Sequence, residues 1–291
     1  MQSIQVPRHQ ACVCVRISRV VLVYILPLVG YAQQLPTAPQ SQCALATPGR
    51  CAVQFSRDEK GIVTSPFHLH KKDLVWLSPL AAATGTAFAL DHTALQHVST
   101  DPSQVSAFRR ASNITGIYAP VAAAGAALLA GTIHHDEHLR ETGGLSMEAM
   151  IDTQLLTTFV KFAADRARPG AYGLSPTAGS FWPDGHHSSG ADSFPSGHAA
   201  NAFAVAHVIA DEYPEWKVKL AVYSLAAATG FERVGGREHF PSDVLVGGAL
   251  GYFVGGYVFN HHSSRSKTHI SFAPMIGHGG GGVSMQISRP N

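Results

Sequence analysis

Charge is scarce in this chain and almost balanced: only 14% of its residues are Asp, Glu, Lys or Arg, and the formal net charge is +2. A basic nucleic-acid surface or a polybasic membrane patch needs more positive charge than that, so both are excluded as organising features. Cysteine is equally sparse, with four in 291 residues, and two of these, Cys12 and Cys14, fall in the leader-like first stretch. Cys43 and Cys51 remain, with no His or Asp at metal-ligand spacing around them, which argues against a metal site and leaves a local disulfide as the expectation for an exported chain. Long Leu/Ile runs are also missing. The apolar stretches Asp73–Leu90 and Ile117–Ile133 are built mainly from Ala, Gly and Thr. They fit closely packed helices of a water-soluble or peripherally attached domain as well as membrane spans, and both readings stay open.

What is present is concentrated in three short stretches. Ser193-Phe194-Pro195-Ser196-Gly197-His198 precedes an Ala-rich run, Ala199–Ala210, so a hydroxyl, a glycine and an imidazole stand where a helix begins. Free amides and the positive end of the helix dipole favour an anion at such a place. Upstream, Lys161 and Arg168 lie seven residues apart on a segment expected to be helical from about Leu145 to Ala167, with Pro169 as its stop. Downstream, Arg233 is followed by His239 and, four residues later, Asp243. Three cations, a helix N-terminus and two histidines describe a phosphate site with its own nucleophile and acid. Taken singly, the cations also read as a solvated helical face, His239 as a hydrogen-bonded core histidine and Asp243 as a helix N-terminal carboxylate. Their order and spacing favour the site.

The pattern Lys161-x6-Arg168-Pro169, then Pro195-Ser196-Gly197-His198, then Arg233-x5-His239-x3-Asp243 resembles that of the type-2 phosphatidic acid phosphatase superfamily, which includes class A bacterial acid phosphatases and vanadium haloperoxidases. The resemblance spans roughly residues 60 to 260. It departs at Glu232, which stands where the family has serine. The resemblance implies a phosphatase that needs no metal or other cofactor. It makes His239 the nucleophile that becomes a phosphohistidine, has Asp243 orient the His239 ring, and has His198 protonate the leaving group and then activate water. Lys161, Arg168, Ser196, Gly197 and Arg233 are left to bind phosphate. The substrate is then a phosphate ester, soluble or a membrane lipid phosphate or diphosphate. Two alternatives come with the same residues: a haloperoxidase holding vanadate on His239, and a non-catalytic, envelope-associated binding protein.

The expected fold is all-α, a helical bundle of about six core helices with a short C-terminal β-hairpin. Residues 1–32 read as a signal peptide cut after Ala32, or an uncleaved anchor, because Arg8, Arg16 and Arg19 precede or border the apolar run Val20–Leu28. Residues 33–57 read as a flexible tail, 58–262 as the helical domain and 263–291 as the hairpin extension. The protein is thus expected to be exported, either periplasmic or membrane-associated with its site facing the periplasm. His134-His135-Asp136-Glu137-His138 reads as a polar corner between helices, and the Gly/Ser/Pro-rich stretch Tyr172–Asp192 as a loop that borders the substrate mouth with Phe181 and Trp182.

Overall fold

The computed structural model describes residues 48–64, 74–170, 173–183, 192–264, 269–277 and 280–288. Its helices are α1 (Pro48–Thr64), α2 (Leu74–Gln96), α3 (Pro102–Asn113), α4 (Ala119–His134), α5 (Glu137–Ala164), α6 (Gly197–Glu212), α7 (Trp216–Gly235) and α8 (Pro241–His262), with a π-helical turn, Ile114–Tyr118, joining α3 to α4. Residues Ser41–Ser263 form one compact unit. Outside it, strands β1 (His269–Gly277) and β2 (Gly280–Ser288) pair antiparallel, from His269 opposite Ser288 to Gly277 opposite Gly280.

The expected architecture is corrected on these points. Among its described residues the helical unit holds eight α-helices rather than about six and contains no β-strand, only an isolated bridge between Arg166 and Phe181. The fold of this unit is therefore all-α without a hairpin in it. Helix α1 begins inside the stretch read as a flexible tail, because its Asp58 is buried against partners on α5 and α8. The stretch expected to be a signal peptide, residues 1–32, lies outside the described residues, as does Cys43 and with it the expected bridge to Cys51.

Helix α6 sits at the centre. Ala199, Ala200, Ala204 and Val208 along it have no exposed surface, and α5, α7 and α8 all pack on it. Small residues make the closest of these contacts. Gly247, Gly251 and Gly255 recur at four-residue spacing on one face of α8, and a Cβ at Gly251 would fall 1.9 Å from the carbonyl oxygen of Ala200. A Cβ at Gly247 would meet the Ser196 carbonyl at 2.4 Å, so the start of α6 is pressed directly onto the first turns of α8. That approach brings Ser196 beside Asp243.

The outer surface is unusually apolar. On α5, Ile151, Leu155, Phe159 and Phe162 form an exposed stripe at helical spacing, and Leu129, Ile133, Leu220, Phe231 and Phe253 are exposed on α4, α7 and α8. Two helical stretches, Pro102–His134 and Pro241–His262, are long and apolar enough to cross a membrane, and the first is largely uncovered by the rest of the unit. These features accord with membrane association.

Candidate active site

The α6 N-terminus is built as the sequence implies. Ser196 is its N-cap, its backbone N–H donates to the Asp243 carbonyl at 2.9 Å, and its hydroxyl is buried with no hydrogen-bond partner among the described residues. A buried hydroxyl without a partner is costly unless something is bound there. The Gln154, Lys161 and Thr157 side chains of α5 stand over Gly197, 3.7 to 4.0 Å from where a Cβ would sit, so the lysine reaches over the amides of this turn.

Lys161, Arg168 and Arg233 converge on the same place, but not from one helix face. Helix α5 ends at Ala164, before Pro169, because Asp165 takes a left-handed conformation (φ 41°) and donates its N–H to the Lys161 carbonyl. Arg168 therefore reaches the basin from the following extended segment, where its Nε donates to Asp192 Oδ1 at 2.6 Å. Its other end pairs with Glu238, which also receives Arg233 at 3.3 Å and Arg109 at 2.7 Å. Lys161 donates to the Asp192 carbonyl. Burial, opposed in part by Asp192, lowers the Lys161 ammonium to a pKa of about 8.

His239 is 1% exposed, and its Nδ1 lies 2.6 Å from the Ser193 carbonyl oxygen. A carbonyl only accepts, so Nδ1 carries the proton and Nε2 the free lone pair. Burial, followed by Arg233, Lys161 and Arg168, holds this imidazole well below its usual pKa and keeps it neutral. The direct orienting contact therefore differs from expectation. Asp243 Oδ2 is 3.8 Å from Nδ1, beyond hydrogen-bond reach, and instead accepts from the Ser193 hydroxyl at 2.6 Å and the Phe240 N–H at 2.8 Å. Asp243 fixes Ser193, and the Ser193 carbonyl fixes the ring.

The opposite histidine, His198, contacts Asn113 Oδ1 through Nε2 at 2.9 Å. Gly116 in the π-helical turn allows this, since a Cβ there would lie 2.9 Å from the His198 Cβ. Burial and then the charges of Arg233, Lys161 and Arg168 bring His198 down to about 3. All three cations thus act on both imidazoles.

Several groups at this site had no mark in the sequence reading. Arg166, two residues before Arg168, is buried between Asp91 of α2 (2.8 Å) and Asp243 (2.5 Å), and its guanidinium also donates to the Ser242 hydroxyl at 2.8 Å. The rings of Phe88, Phe181 and Phe240 surround it at 4.8, 5.3 and 4.5 Å. Phe181, expected at the substrate mouth, thus packs on Arg166, while Trp182 is exposed and donates to the Ala163 carbonyl. Asn113, Asp192, Glu238 and Asp91 likewise lie at ordinary-looking positions. Glu232, standing in the place of the family serine, accepts from Thr115 at 2.6 Å and ties α7 to the π-helical turn.

Residues 145–267 match the family model described as PAP2 superfamily. A curated relative, the lipid A 1-phosphatase of Porphyromonas gingivalis, is 39% identical over 95 residues, which is 31% of this chain and 20% of that protein, so the chain matches about a fifth of that relative's length. Two solved structures are similar: LpxE of Aquifex aeolicus (22% identity, 60% of this chain and 94% of that one, TM-score 0.43) and a transmembrane PAP2-type phosphatidylglycerolphosphate phosphatase of Bacillus subtilis (20% identity, 74% and 94%, TM-score 0.43). The stretch that this family model matches, residues 145–267, carries every site residue named from the sequence.

Proposed function

We propose that this protein is a phosphatase that hydrolyses a phosphate ester through a phosphohistidine on His239. The observation that carries this reading is the juxtaposition, around one helix N-terminus, of three cationic side chains, an unpartnered buried hydroxyl and a neutral imidazole whose free lone pair is on Nε2. Nε2 attacks phosphorus, the ester P–O bond breaks, and His198 gives its proton to the leaving oxygen. Water then attacks phosphorus, gives a proton to His198, and the P–N bond breaks to return Nε2. Lys161, Arg168 and Arg233 neutralise the equatorial oxygens, with Ser196 and the α6 amides as short donors. The arriving phosphate offsets the same cations that depress His198, so its negative charge raises the histidine toward the range where an acid is useful.

A lipid phosphate fits the surroundings better than a soluble ester. The exposed apolar stripe on α5 ends at the basin, and an apolar groove of about 600 Å3, lined by Leu80, Phe231, Val234, Pro241, Val244 and Tyr252, includes the neighbours in sequence of both Arg233 and Asp243. The test is phosphate release by the full chain purified in detergent with a chelator present, offered an aryl phosphate, phosphatidate, a polyprenyl diphosphate and lipid A 1-phosphate. Release from a lipid well above that from the aryl ester supports the reading. Absence of release from all four, with bromide oxidation on adding vanadate and peroxide, would replace it with the haloperoxidase.

Two dependences follow from the charges. The Lys161 cation is present below its pKa of about 8 and lost above it, so inorganic phosphate should inhibit less as pH rises through 8. Lys161→Arg should move that limb upward; a phosphate affinity flat from pH 7 to 9 would separate Lys161 from the anion. Glu238 is the carboxylate that Arg168 and Arg233 share, and a phosphate must compete with it. Glu238→Gln should tighten phosphate or vanadate inhibition by about five- to tenfold. Weaker inhibition would instead make Glu238 a positioning residue for the arginines.

A further inference from the structure

A second group of buried ionisable side chains stands at the other end of α8, apart from the phosphate chemistry. His262 is the last residue of that helix, about 28 Å along it from Asp243 at 1.5 Å per residue. His262 Nε2 lies 3.3 Å from Asp58 Oδ1, and Nδ1 lies 2.8 Å from Glu148 Oε1. One ligand atom from each of these three residues falls within 4.8 Å of the others. Gln54 of α1 donates its amide to Glu148 as well.

Asp152 adds an independent observation. It follows Glu148 by one turn of α5, on the same face, and has 0% exposure. Neither of its carboxylate oxygens has a hydrogen-bond partner among the described residues, and the charges that act on it, those of Asp58, Glu148 and Glu59, are all of its own sign. Asp58 Oδ2 is likewise buried without a partner. Asp58 and Glu148 face one imidazole, the donors of His262 and Gln54 go to those two, and the Asp152 carboxylate stands one helical turn from Glu148, close enough for their charges to act on it. Buried carboxylates in this arrangement call for a cation among them.

We propose that Asp58, Glu148, Asp152 and His262 bind one divalent transition-metal ion, which clamps α1 onto α5 and α8. Three carboxylate oxygens with one imidazole nitrogen suit Mn2+ or Zn2+, whereas calcium prefers an all-oxygen shell and soft ions prefer thiolates. Its role is structural, because the phosphate basin lies at the other end of the unit.

The full chain in detergent, stripped with chelator and dialysed, is titrated calorimetrically with MnCl2 and with ZnCl2 while melting is followed with and without the ion. The expected result is saturable binding of one ion per chain by one of the two metals, with a higher melting temperature for the loaded protein. Asp152→Asn and Glu148→Gln, which preserve side-chain volume, should each weaken binding at least tenfold while circular dichroism at low temperature stays that of the wild type. No saturable binding to the wild type, or equal binding by the wild type and both folded variants, would overturn the proposal. Phosphate release assayed well below the melting transition should not differ between stripped and loaded protein, which keeps this test separate from that of the phosphatase.

Discussion

His239→Ala should bring phosphate release to background, a loss of about four orders of magnitude or more, because the proposed mechanism makes His239 the nucleophile rather than a positioning contact. The geometry makes the residue hard to replace. The ring is buried, its proton is committed to the Ser193 carbonyl, and the three cations that would stabilise an attacked phosphoryl group also keep the ring neutral and nucleophilic. His198→Ala gives the complementary result. It should slow turnover of an alkyl or lipid phosphate by about 100-fold or more. Phosphorylation of the enzyme by an aryl phosphate, whose phenolate leaves without a proton, should survive far better. Rapid acid-free quenching with radiolabelled aryl phosphate should then trap label on the His198→Ala protein and none on His239→Ala. Turnover of the folded His239→Ala protein within tenfold of wild type would remove His239 from the chemistry.

How much of this was legible beforehand follows from which interactions are local in sequence. The α6 N-terminus could be read because Pro195, Ser196 and Gly197 meet an Ala-rich run within a few residues, and capping and dipole effects act over that range. His239 and Asp243 could be paired because four residues is one helical turn, yet Asp243 is four residues away at a helix entrance and turns its carboxylate toward Phe240 N–H and Ser193 instead. The Ser193 carbonyl as orienter was not legible, since any backbone oxygen is the same in sequence. Arg168 was placed on a helix that Pro169 should end, but a single left-handed residue, Asp165, ends it sooner, and aspartate tolerates that conformation. Glu238 and Asp192 read as ordinary surface acids until the folded chain sets them against the arginines. The extra helices arose where composition gave a weak signal, as in α1, whose buried contacts are with Glu148 and His262, far away in the chain.

The least legible pair, Arg166 with Asp91, should also have the largest effect on stability. The two are 75 residues apart, and Asp91 reads in sequence only as the polar end of an apolar run. In the fold the guanidinium is 3% exposed and is the cation between two carboxylates with no exposure, Asp91 and Asp243. Replacing it with a neutral side chain leaves both of those charges in an apolar surround of Phe88, Phe181 and Phe240, and breaking a buried pair in this way costs about 3 to 5 kcal/mol. Arg166→Met should therefore lower stability by that amount in a denaturant titration. Arg166→Lys should lose less stability but still lower turnover, because an ammonium cannot span Asp91, Asp243 and Ser242 as a planar fork does. The combination Arg166→Met with Asp91→Leu separates pairing from packing. If the cost is an uncompensated Asp91 charge, the double variant recovers part of the loss while turnover stays low, since Asp243 still lacks its anchor for Ser193 and His239. If the double variant is as unstable as the sum of the two singles, the residues are not coupled and the account of a guanidinium joining α2 to the Asp243 turn fails.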